Sequence, residues 1–404
     1  MNRKPMLCAA LMWGLWASAQ TQVNLRLQSP IAQDNAPVVI SLKPYGDIQS
    51  AKVLIEGIET PCQLDDLDRD GTFDELVFVT SFSRKQSKKA TVALYTNGKP
   101  IVYPARTFAQ LVLCNPKVKE KNKQDIYLSS ITLTKATADQ YHVLHHHGVA
   151  FENELVAMRI YMDARQTVDI YGKFREGLEL NDTQFYTTTD QKQRGYGDDV
   201  LWVGNTFGLG ALRGWDGILP TPLTDVEQRT QRILAQGPVR TIVEMEDYRW
   251  TPQPGAQPVN LTLRYTLYAG HRDCQVSATF SRDMSAHQFS TGIINVKNSE
   301  EYTDHAGLRG CWGTDWPATD TLKWKRETVG LGICIPAANH VRELPANKDN
   351  YAFVVRPEGK TLHYNIVYGS DNESFGYHSA EEWFDFLKDW KKELANPVKV
   401  TKAK

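Results

Sequence analysis

The chain has 404 residues, with 46 Lys or Arg and 47 Asp or Glu, so that its formal net charge at pH 7 is −1. This balance gives no indication of a nucleic acid or an anionic membrane surface as a partner. The length exceeds one ordinary domain and is sufficient for two. None of these quantities determines the oligomeric state.

The first nineteen residues have the pattern of a secretory signal peptide. Arg3 and Lys4 precede an apolar stretch, residues 6–16, and residues 17–19 read Ala-Ser-Ala, the small-residue pattern of a cleavage site. The apolar stretch is too short to span a bilayer, and nothing later in the chain is apolar for long enough. We therefore predict residues 1–19 as a signal peptide, export to the periplasm or the extracellular space, and no membrane insertion.

Short strand patterns separated by turns follow the signal peptide. Residues 23–27 and 38–42 alternate or run apolar at strand length, and several similar segments come after them. Residues 20–114 are therefore predicted as a small β domain. Residues 115–125 are basic, polar and poor in apolar side chains, which predicts a linker.

An acidic stretch in this small domain, Asp66–Glu75, has the D-x-D-x-D-G-x-x-D spacing of calcium loops. Carboxylates spaced by two residues turn toward one centre as the chain curls, and Gly71 permits the sharp turn. Val77 stands where an EF-hand has its bidentate glutamate, so the pattern indicates a loop in a β-hairpin. The alternative is an exposed acidic turn. The predicted ligands of a structural calcium ion are Asp66, Asp68, Asp70, the Thr72 carbonyl and Asp74.

Strand patterns also dominate residues 126–404, which are predicted as one large antiparallel β-sandwich domain. Its first hairpin turns near Ala164, which places Arg159 opposite Asp169 and Ala157 opposite Tyr171. One face of the hairpin is then apolar and the other carries charged and aromatic side chains. This is typical of a sheet that lines a cleft, although a satisfied buried polar network or a solvated charged face would give a similar pattern.

Three consecutive histidines, residues 145–147, precede this hairpin. Imidazole titrates near neutrality, so histidines beside carboxylates suit proton transfer or metal ligation. The pattern indicates no organic cofactor. The candidate catalytic residues are His145, His147, Glu152, Glu154, Arg159, Tyr161, Asp169, Tyr171 and Lys173.

A glycine-rich segment, residues 195–210, mixes acids, a tryptophan and an amide. It does not connect a strand to a helix in a Rossmann unit, so we exclude a nucleotide-binding loop. Sugar rings pack their C–H faces on aromatic side chains beside carboxylates and amides, although aromatic residues also fill ordinary β cores. The candidate substrate-binding residues are Asp199, Trp202, Asn205, Trp215 and His287.

The clear helical pattern is near the C-terminus, over Ser379–Leu394. Ser379 and Glu382 have the spacing of a capping box, and Trp383, Leu387 and Trp390 form a stripe at helical spacing. The fold class is thus all-β, a small N-terminal β domain followed by a large antiparallel sandwich, with one C-terminal helix. The five cysteines after residue 19 include two permissible disulfide pairs, Cys62–Cys114 and Cys311–Cys334.

Five segments together resemble an exported family that has no assigned reaction and is typical of Bacteroidetes polysaccharide utilisation loci. Its members are often encoded near unsaturated-uronyl hydrolases and pectin-type lyases. The resemblance implies a sandwich similar to the galactose-mutarotase supersandwich, a fold that sugar epimerases and some polysaccharide lyases share. A fold does not by itself supply a reaction. The segments are the Asp66–Glu75 loop and residues 147–161, 169–173, 199–205 and 237–240.

We therefore expect a carbohydrate-active enzyme that acts on uronate-containing oligosaccharides or polysaccharides by proton abstraction, as a lyase or as an epimerase or mutarotase. Elimination across C4–C5 of a uronate needs a base, an acid and a cation that steadies the carboxylate. The histidines, Tyr161 or Tyr171 could act as base and acid, and Arg159 or Lys173 could hold the carboxylate.

The alternative is a non-catalytic glycan-binding accessory protein that uses Trp202, Trp215 and Trp316 as platforms and the acidic loop as a calcium brace. A glycosidase that uses Glu152 and Glu154 is disfavoured. Residues two apart on a strand share one face and lie too close together for the water of an inverting mechanism.

Overall fold

The computed structural model describes residues 20–134, 142–252, 255–322 and 324–403. The predicted signal peptide lies outside these ranges. The described chain is almost entirely antiparallel β structure with a single long helix near the C-terminus, which confirms the predicted all-β class. No helix in the described ranges is both long and apolar enough to cross a membrane.

The secondary-structure elements follow one another along the chain with short connections. Those of the first part are β1 (Gln20–Gln28), β2 (Gln33–Ser41), β3 (Ser50–Ile55), β4 (Ile58–Thr60), β5 (Cys62–Asp65), β6 (Glu75–Phe82), β7 (Ser87–Tyr95), β8 (Thr107–Gln110), β9 (Val112–Leu113), β10 (Ile126–Tyr127) and β11 (Ser130–Thr134). Those of the second part are β12 (Gly148–Asn153), β13 (Ala157–Tyr161), β14 (Val168–Gly172), α1 (Leu180–Thr183), α2 (Thr189–Gln193), β15 (Asp198–Asp199), β16 (Arg213–Trp215), β17 (Pro220–Thr221), β18 (Gln228–Ala235), β19 (Arg240–Trp250), β20 (Val259–Tyr268), β21 (Asp273–Phe280), β22 (Phe289–Ile294), β23 (Glu300–Thr303), β24 (Leu308–Asp315), β25 (Glu327–Cys334), β26 (His340–Glu343), β27 (Asn350–Val355), β28 (Thr361–Ser370), α3 (Ala380–Leu394) and β29 (Lys399–Lys402).

The small N-terminal sandwich consists of a five-stranded sheet, in the order β29-β1-β7-β3-β4, and a three-stranded sheet, β2-β6-β5. Period-two alternation explains these strands, since β1 buries Val23, Leu25 and Leu27 and exposes the residues between them. The sequence predicts that residues 20–114 and 126–404 form separate domains, but two strands pair across this boundary. The C-terminal β29 pairs with β1 of the small sandwich, and β8 pairs with β12 of the large one.

The large sandwich has one nine-stranded layer, in the order β11-β18-β19-β20-β21-β28-β25-β24-β23. Two five-stranded sheets, β15-β14-β13-β12-β8 and β17-β16-β22-β27-β26, share one hydrophobic core with it. A chain segment bridges these two sheets, with Gly208 against Val168 and Leu209 against Ile293. Gly208 has φ +56°, and a Cβ there would lie 2.2 Å from the Val168 carbonyl oxygen, so the close approach requires glycine.

The predicted C-terminal helix is confirmed as α3. The Ser379 hydroxyl accepts a hydrogen bond from the Glu382 amide at 3.2 Å and caps the helix. Its stripe of Trp383, Leu387 and Trp390 is buried against β24 and β25. A Cβ at Gly330 would lie 2.6 Å from the Trp383 ring, so glycine in the sheet lets the helix approach.

The five described cysteines are all free, so neither of the two permissible disulfides is present. Cys114 is exposed and the other four are buried. Burial raises the pKa of the Cys62 thiol to about 11, which keeps it protonated and unreactive. The stability of the two sandwiches therefore rests on packing and polar contacts.

Arg240 joins the two sandwiches. It lies on β19, donates to Asp65 at 2.7 Å and to Glu75 at 2.6 Å, and is 3% exposed. The Gln63 side chain accepts the backbone amides of Val239 and Arg240 at 3.0 and 3.1 Å. Asp65 and Glu75 flank the acidic loop, so the contact between the domains also fixes the base of that loop.

We expect Arg240→Ala to lower the free energy of unfolding by about 3–5 kcal/mol, because it leaves the buried carboxylate of Asp65 unpaired. Urea denaturation followed by circular dichroism measures this change. The control is Arg249→Ala, which removes the exposed ion pair with Glu227 (side chains 49% and 56% exposed) and should change the free energy by less than about 1 kcal/mol. Equal effects of the two substitutions would contradict the role of Arg240.

Candidate functional site

The β12–β13–β14 sheet has the predicted register, with Arg159 opposite Asp169 and Ala157 opposite Tyr171. Its apolar face contributes to the core of the large sandwich. The polar face is covered by residues 179–187, whose Leu180 and Phe185 pack on Ala157 and Tyr171. The polar face is therefore mostly a buried layer, and it reaches solvent only along its border.

Arg159 is the centre of this buried layer. Its guanidinium donates to Asp169 at 2.6 Å and to Asp199 at 2.9 Å, and it lies 4.4 Å from the centre of the Phe185 ring. The Tyr161 hydroxyl donates to the same Asp169 oxygen at 2.8 Å. Arg159 thus bridges the two acidic side chains, and the four polar side chains hold one another in fixed positions.

Asp199 is where this layer reaches solvent, since its side chain is 18% exposed while those of Arg159 and Asp169 are 5% and 1% exposed. Burial raises the pKa of the Asp199 carboxyl well above its ordinary value, and the neighbouring Asp169 carboxylate acts in the same direction. Arg159 opposes this shift without cancelling it. Asp199 therefore has the character of a carboxyl group that holds a proton more strongly than usual.

Glu152 and Lys173 form a fully buried ion pair, 2.6 Å long, further along the same face. Lys173 also donates to the carbonyls of Asn153 and Gly177 at 2.6 Å. Glu152 accepts the backbone amides of Glu179 and Leu180 at 2.9 and 2.7 Å. Both side chains are thus used to fix the start of the covering segment.

Tyr171 and Glu154 also make structural contacts, and neither is among the residues that line the cleft described below. Tyr171 is fully buried, with its hydroxyl 3.0 Å from that of Thr187. Glu154 follows the end of β12 and accepts from Arg106 Nε at 2.9 Å. The predicted catalytic residues of this sheet therefore fall into two sets. Arg159, Tyr161 and Asp169 form one network, which we call the Arg159 group, and Glu152, Glu154, Tyr171 and Lys173 make structural contacts.

His142, His145 and His147 line an open cleft of about 1030 Å³, which we call the histidine cleft, whereas His146 is fully buried and lies outside its lining. Residues 113–126, which include the predicted linker (residues 115–125), form one of its walls. Its polar side chains come from both sides of the cleft, and Leu113, Ile126 and Val143 add apolar surface. The polar lining includes Lys119, Lys121, His142, His145, His147 and Tyr186.

His147 and Tyr186 form the central pair of this cleft, with His147 Nε2 3.4 Å from the Tyr186 hydroxyl. The hydroxyl also lies 3.2 Å from the His145 carbonyl oxygen, to which it can donate. Lys121 Nζ stands 3.6 Å from the centre of the Tyr186 ring. An imidazole, a phenol and an ammonium group thus meet at one place in the cleft.

The backbone at this pair is strained. His147, Gln184 and Phe185 have φ values of +63°, +45° and +64°, a region that residues other than glycine rarely adopt. The His147 carbonyl accepts the Met162 amide at 2.7 Å, which holds the strained conformation.

Tyr161 connects the histidine cleft with the Arg159 group. Its ring meets the edge of the His147 ring at a centroid distance of 5.7 Å, and its hydroxyl belongs to the Asp169 network. Of the predicted catalytic residues, the structure therefore brings His145, His147 and Tyr161 together, with Arg159 and Asp169 behind them.

The predicted substrate-binding residues are dispersed. Asp199 joins the Arg159 group. Trp202 is 52% exposed and Asn205 is also exposed, and neither contributes to the described lining of the histidine cleft. Trp215 is buried on β16 in the other five-stranded sheet, and His287 follows β21 in a turn closed by its amide on the Met284 carbonyl.

The sequence analysis missed Tyr186 and Lys121. Lys121 belongs to a lysine-rich stretch, residues 117–123, and this cluster of positive charge is the sequence signal that could have indicated a binding surface for an anionic ligand. Tyr186 lies in a segment without periodicity, and only the tertiary structure brings it to His147.

The acidic loop brings three of its predicted ligands together, because carboxylate oxygens of Asp66, Asp68 and Asp74 all lie within 4.8 Å of one another. The Asp70 carboxylate is outside this group and accepts the Thr72 amide at 2.7 Å. Backbone amides also donate to Asp66 and Asp74 at 2.9 and 2.6 Å. Converging carboxylate oxygens are the donors that calcium prefers, so these three residues fit the ion.

Comparison with known proteins gives a family and a distant structural similarity. Residues 26–400 match the family model described as "Domain of unknown function (DUF4861)". No curated protein matches the chain. An alpha-mannosidase from Enterococcus faecalis V583 is 10% identical, with a TM-score of 0.48, over 95% of this chain and 46% of its own. A glycosyl hydrolase family 38 protein from Enterococcus faecalis is 9% identical, with a TM-score of 0.46, over 95% and 47%. The chain thus spans about half the length of these proteins.

Burial of the histidines predicts acid sensitivity. Burial, and then the nearby charges of Lys121 and Arg159, lower the pKa of His145 to about 4. The His145 imidazole binds a proton near pH 6.5 in the unfolded chain but only near pH 4 in the folded chain. Its contribution to the free energy of unfolding is therefore fully present above pH 6.5 and is lost as the pH falls to about 4. We expect this residue to account for about 3 kcal/mol of the loss, measured by urea denaturation at several pH values.

His145→Gln should flatten this pH dependence, whereas His305→Gln, at a side chain that is 79% exposed, serves as the control. An unchanged slope in His145→Gln would contradict the assignment.

Proposed function

The chain belongs to the DUF4861 family, and we propose that it acts on uronate-containing glycans by proton abstraction in the histidine cleft, as a lyase or as a related epimerase or mutarotase. The observation that carries this proposal is the contact between His147 and Tyr186, 3.4 Å apart, beneath Lys121 in an open cleft. Imidazole and phenol are side chains that transfer protons, and the cleft is large enough for sugar residues.

The charges of the cleft suit an acidic sugar. Lys119 and Lys121 line the cleft from residues 113–126, and their ammonium groups can pair with a uronate carboxylate. A cation at the carboxylate also stabilises the negative charge that develops there when the C5 proton leaves. We assign this role to the lysines that line the cleft, because Arg159 lies in the buried layer and is bound to Asp169 and Asp199.

The proposed elimination uses the chain's own side chains. Either His147 or Tyr186 takes the C5 proton as the base, the C5–H electron pair forms the C4–C5 double bond, and the C4–O bond breaks. The other member of the pair supplies the proton to the leaving oxygen. Epimerisation needs the same abstraction followed by return of a proton to the opposite face of C5. Mutarotation would use an acid and a base at the ring oxygen and the anomeric hydroxyl.

The apolar wall supports a sugar as the ligand. Leu113, Ile126 and Val143 provide the apolar surface that the C–H faces of a sugar ring require, in the same cleft as the hydrogen-bonding side chains. Behind the pair, Tyr161 links the His147 ring to the Asp169–Arg159 network, which makes Arg159 a positioning residue.

We expect Tyr186→Phe to reduce turnover by about 10²–10⁴-fold, since it removes one proton-transfer group and keeps the ring. His147→Asn should have a similar effect, and asparagine tolerates the left-handed backbone at this position. The substrates are pectic, ulvan and glycosaminoglycan oligosaccharides. The readouts are ultraviolet absorbance of unsaturated uronate and, in heavy water, deuterium incorporation at C5 measured by NMR.

His305→Asn is the matched surface control and should retain full turnover, and thermal melts establish that each variant is folded. Full activity of Tyr186→Phe and His147→Asn would place the chemistry elsewhere. Wild-type protein that neither cleaves nor exchanges C5 in any substrate would contradict the lyase and C5-epimerase forms of the proposal.

A non-catalytic glycan-binding function is the second candidate, and the exposure of Trp202 favours it. A tryptophan that is 52% exposed on a loop offers a flat surface to a sugar ring. Under this alternative, calorimetry would detect glycan binding, and Trp202→Ala would weaken it. The wild-type protein would convert none of the oligosaccharides tested. Export to the periplasm or the extracellular space, where such glycans occur, is part of both proposals.

Calcium in the acidic loop is a further part of the proposal, with a structural role. Asp66, Asp68 and Asp74 would hold the ion, and neutralising them would order the loop beside the Arg240 contact. Because an ion that binds only the folded state adds stability by mass action, saturating calcium should add about 3 kcal/mol at a hundredfold excess over its dissociation constant.

Thermal melts of metal-loaded protein with and without chelator measure this effect. Asp68→Asn should abolish the difference between the melts. Asp70→Asn, in the same loop but outside the converging group, should retain it. Identical melts of the loaded wild-type protein would remove calcium from the proposal.

A further inference from the structure

We infer that the histidine cleft is one end of a longer groove that binds an extended acidic polysaccharide, and that a second cleft between the two sandwiches holds the distal sugar residues. The inference rests on the proposed function for its substrate class. It adds that the substrate is a polymer and that Tyr127 is a binding residue between the two clefts.

The second cleft has a volume of about 760 Å³ and is formed by both domains. The small sandwich contributes Asp66, Arg69 and Phe73, and the large one contributes Phe108 on β8 and Gln236. Each cleft by itself is within the size range of ligand sites. Together they offer far more room than one monosaccharide requires.

One thin ribbon, the β9–β10 pair, separates the two clefts. Ile126 pairs with Leu113, and both line the histidine cleft. The next residue, Tyr127, lines the second cleft, because neighbouring side chains on a strand point to opposite faces. Ile126 and Tyr127 are 40% and 54% exposed, so a chain that passes from one cleft to the other would cross them.

The Tyr127 ring is held in place while remaining exposed. Gln184 Nε2 donates to the Tyr127 hydroxyl at 3.2 Å and to the Gln124 carbonyl at 2.9 Å, and its side-chain oxygen accepts the Gln124 amide at 3.0 Å. Gln184 precedes Tyr186 by two residues and shares its strained segment. The residue that positions the exposed ring therefore belongs to the segment that supplies the proposed acid or base.

Cationic side chains that could bind carboxylates line both clefts. Lys119 and Lys121 line the first cleft, and the exposed Arg69 lines the second. Asp65 and Asp66 also line the second cleft. Asp65 is paired with Arg240 at 2.7 Å, and the Asp66 carboxylate already accepts the amides of Arg69 and Gly71 at 2.6 and 2.9 Å. Cations at both ends and a fixed aromatic ring between them match a chain of uronate residues, which has a carboxylate on each ring.

The test compares affinity for oligosaccharides of two to eight residues from pectic, ulvan and chondroitin chains. Calorimetry with His147→Asn protein avoids turnover during the measurement. We expect the best-bound series to gain at least about tenfold in affinity between the dimer and the hexamer. Adding Tyr127→Ala should remove most of that gain, and Tyr127→Phe, which keeps the ring, should retain it.

Tyr248→Ala, at an aromatic residue that is 40% exposed on β19, is the control and should leave the gain unchanged. Arg69→Gln should weaken hexamer binding more at low salt than at high salt, and Arg84→Gln, on the β6–β7 turn, should not. Equal affinity for dimer and hexamer, or an undiminished gain in Tyr127→Ala, would overturn the inference even if the enzyme is active. If the gain in affinity from dimer to hexamer depends on Tyr127 but the wild-type protein shows no turnover, the groove is supported and the proposed chemistry is overturned.

Discussion

The buried ion pair between Glu152 and Lys173 is the contact on which the rest of the candidate site depends. Lys173, which directly follows β14, forms an ion pair with Glu152 on β12. Glu152 also accepts hydrogen bonds from the backbone amides of Glu179 and Leu180 at the start of α1. The start of the covering segment, residues 179–187, is therefore fixed to the sheet. This fixes where Gln184, Phe185 and Tyr186 lie against the polar face. Loss of either member would leave an uncompensated charge in the interior, which costs several kcal/mol.

From this anchor, the site is built in two layers with different functions. The inner layer, Arg159 with Asp169, Asp199 and Tyr161, is almost closed to solvent, and its charged side chains pair with one another. The outer layer, His147 and Tyr186, faces the cleft. A closed inner layer keeps the outer side chains in place. In the proposed function the outer pair would transfer protons and the inner layer would position it, as an active site requires.

The arrangement of the two domains brings the acidic loop into the same region. Arg240 holds the strands on both sides of the loop, and the C-terminal β29 returns to pair with β1, so both ends of the chain secure the small sandwich. Asp66 consequently lies in the converging carboxylate group and also lines the cleft between the domains. An ion bound to the loop would change the charge of that cleft as well as the stability of the loop.

The sequence by itself determined the features that depend on local periodicity and short-range pairing. Period-two alternation predicted the β12–β14 region with its pairing of Arg159 and Asp169, because a slip of one residue would exchange the polar and apolar faces. The capping residue Ser379 and the tryptophan stripe predicted α3 for a similar reason. Only the tertiary structure decided that residues 113–126 form a cleft wall, that Tyr186 meets His147, and that Glu152 and Lys173 are structural. Those outcomes depend on contacts between distant parts of the chain, and no local pattern encodes which buried polar groups will satisfy one another.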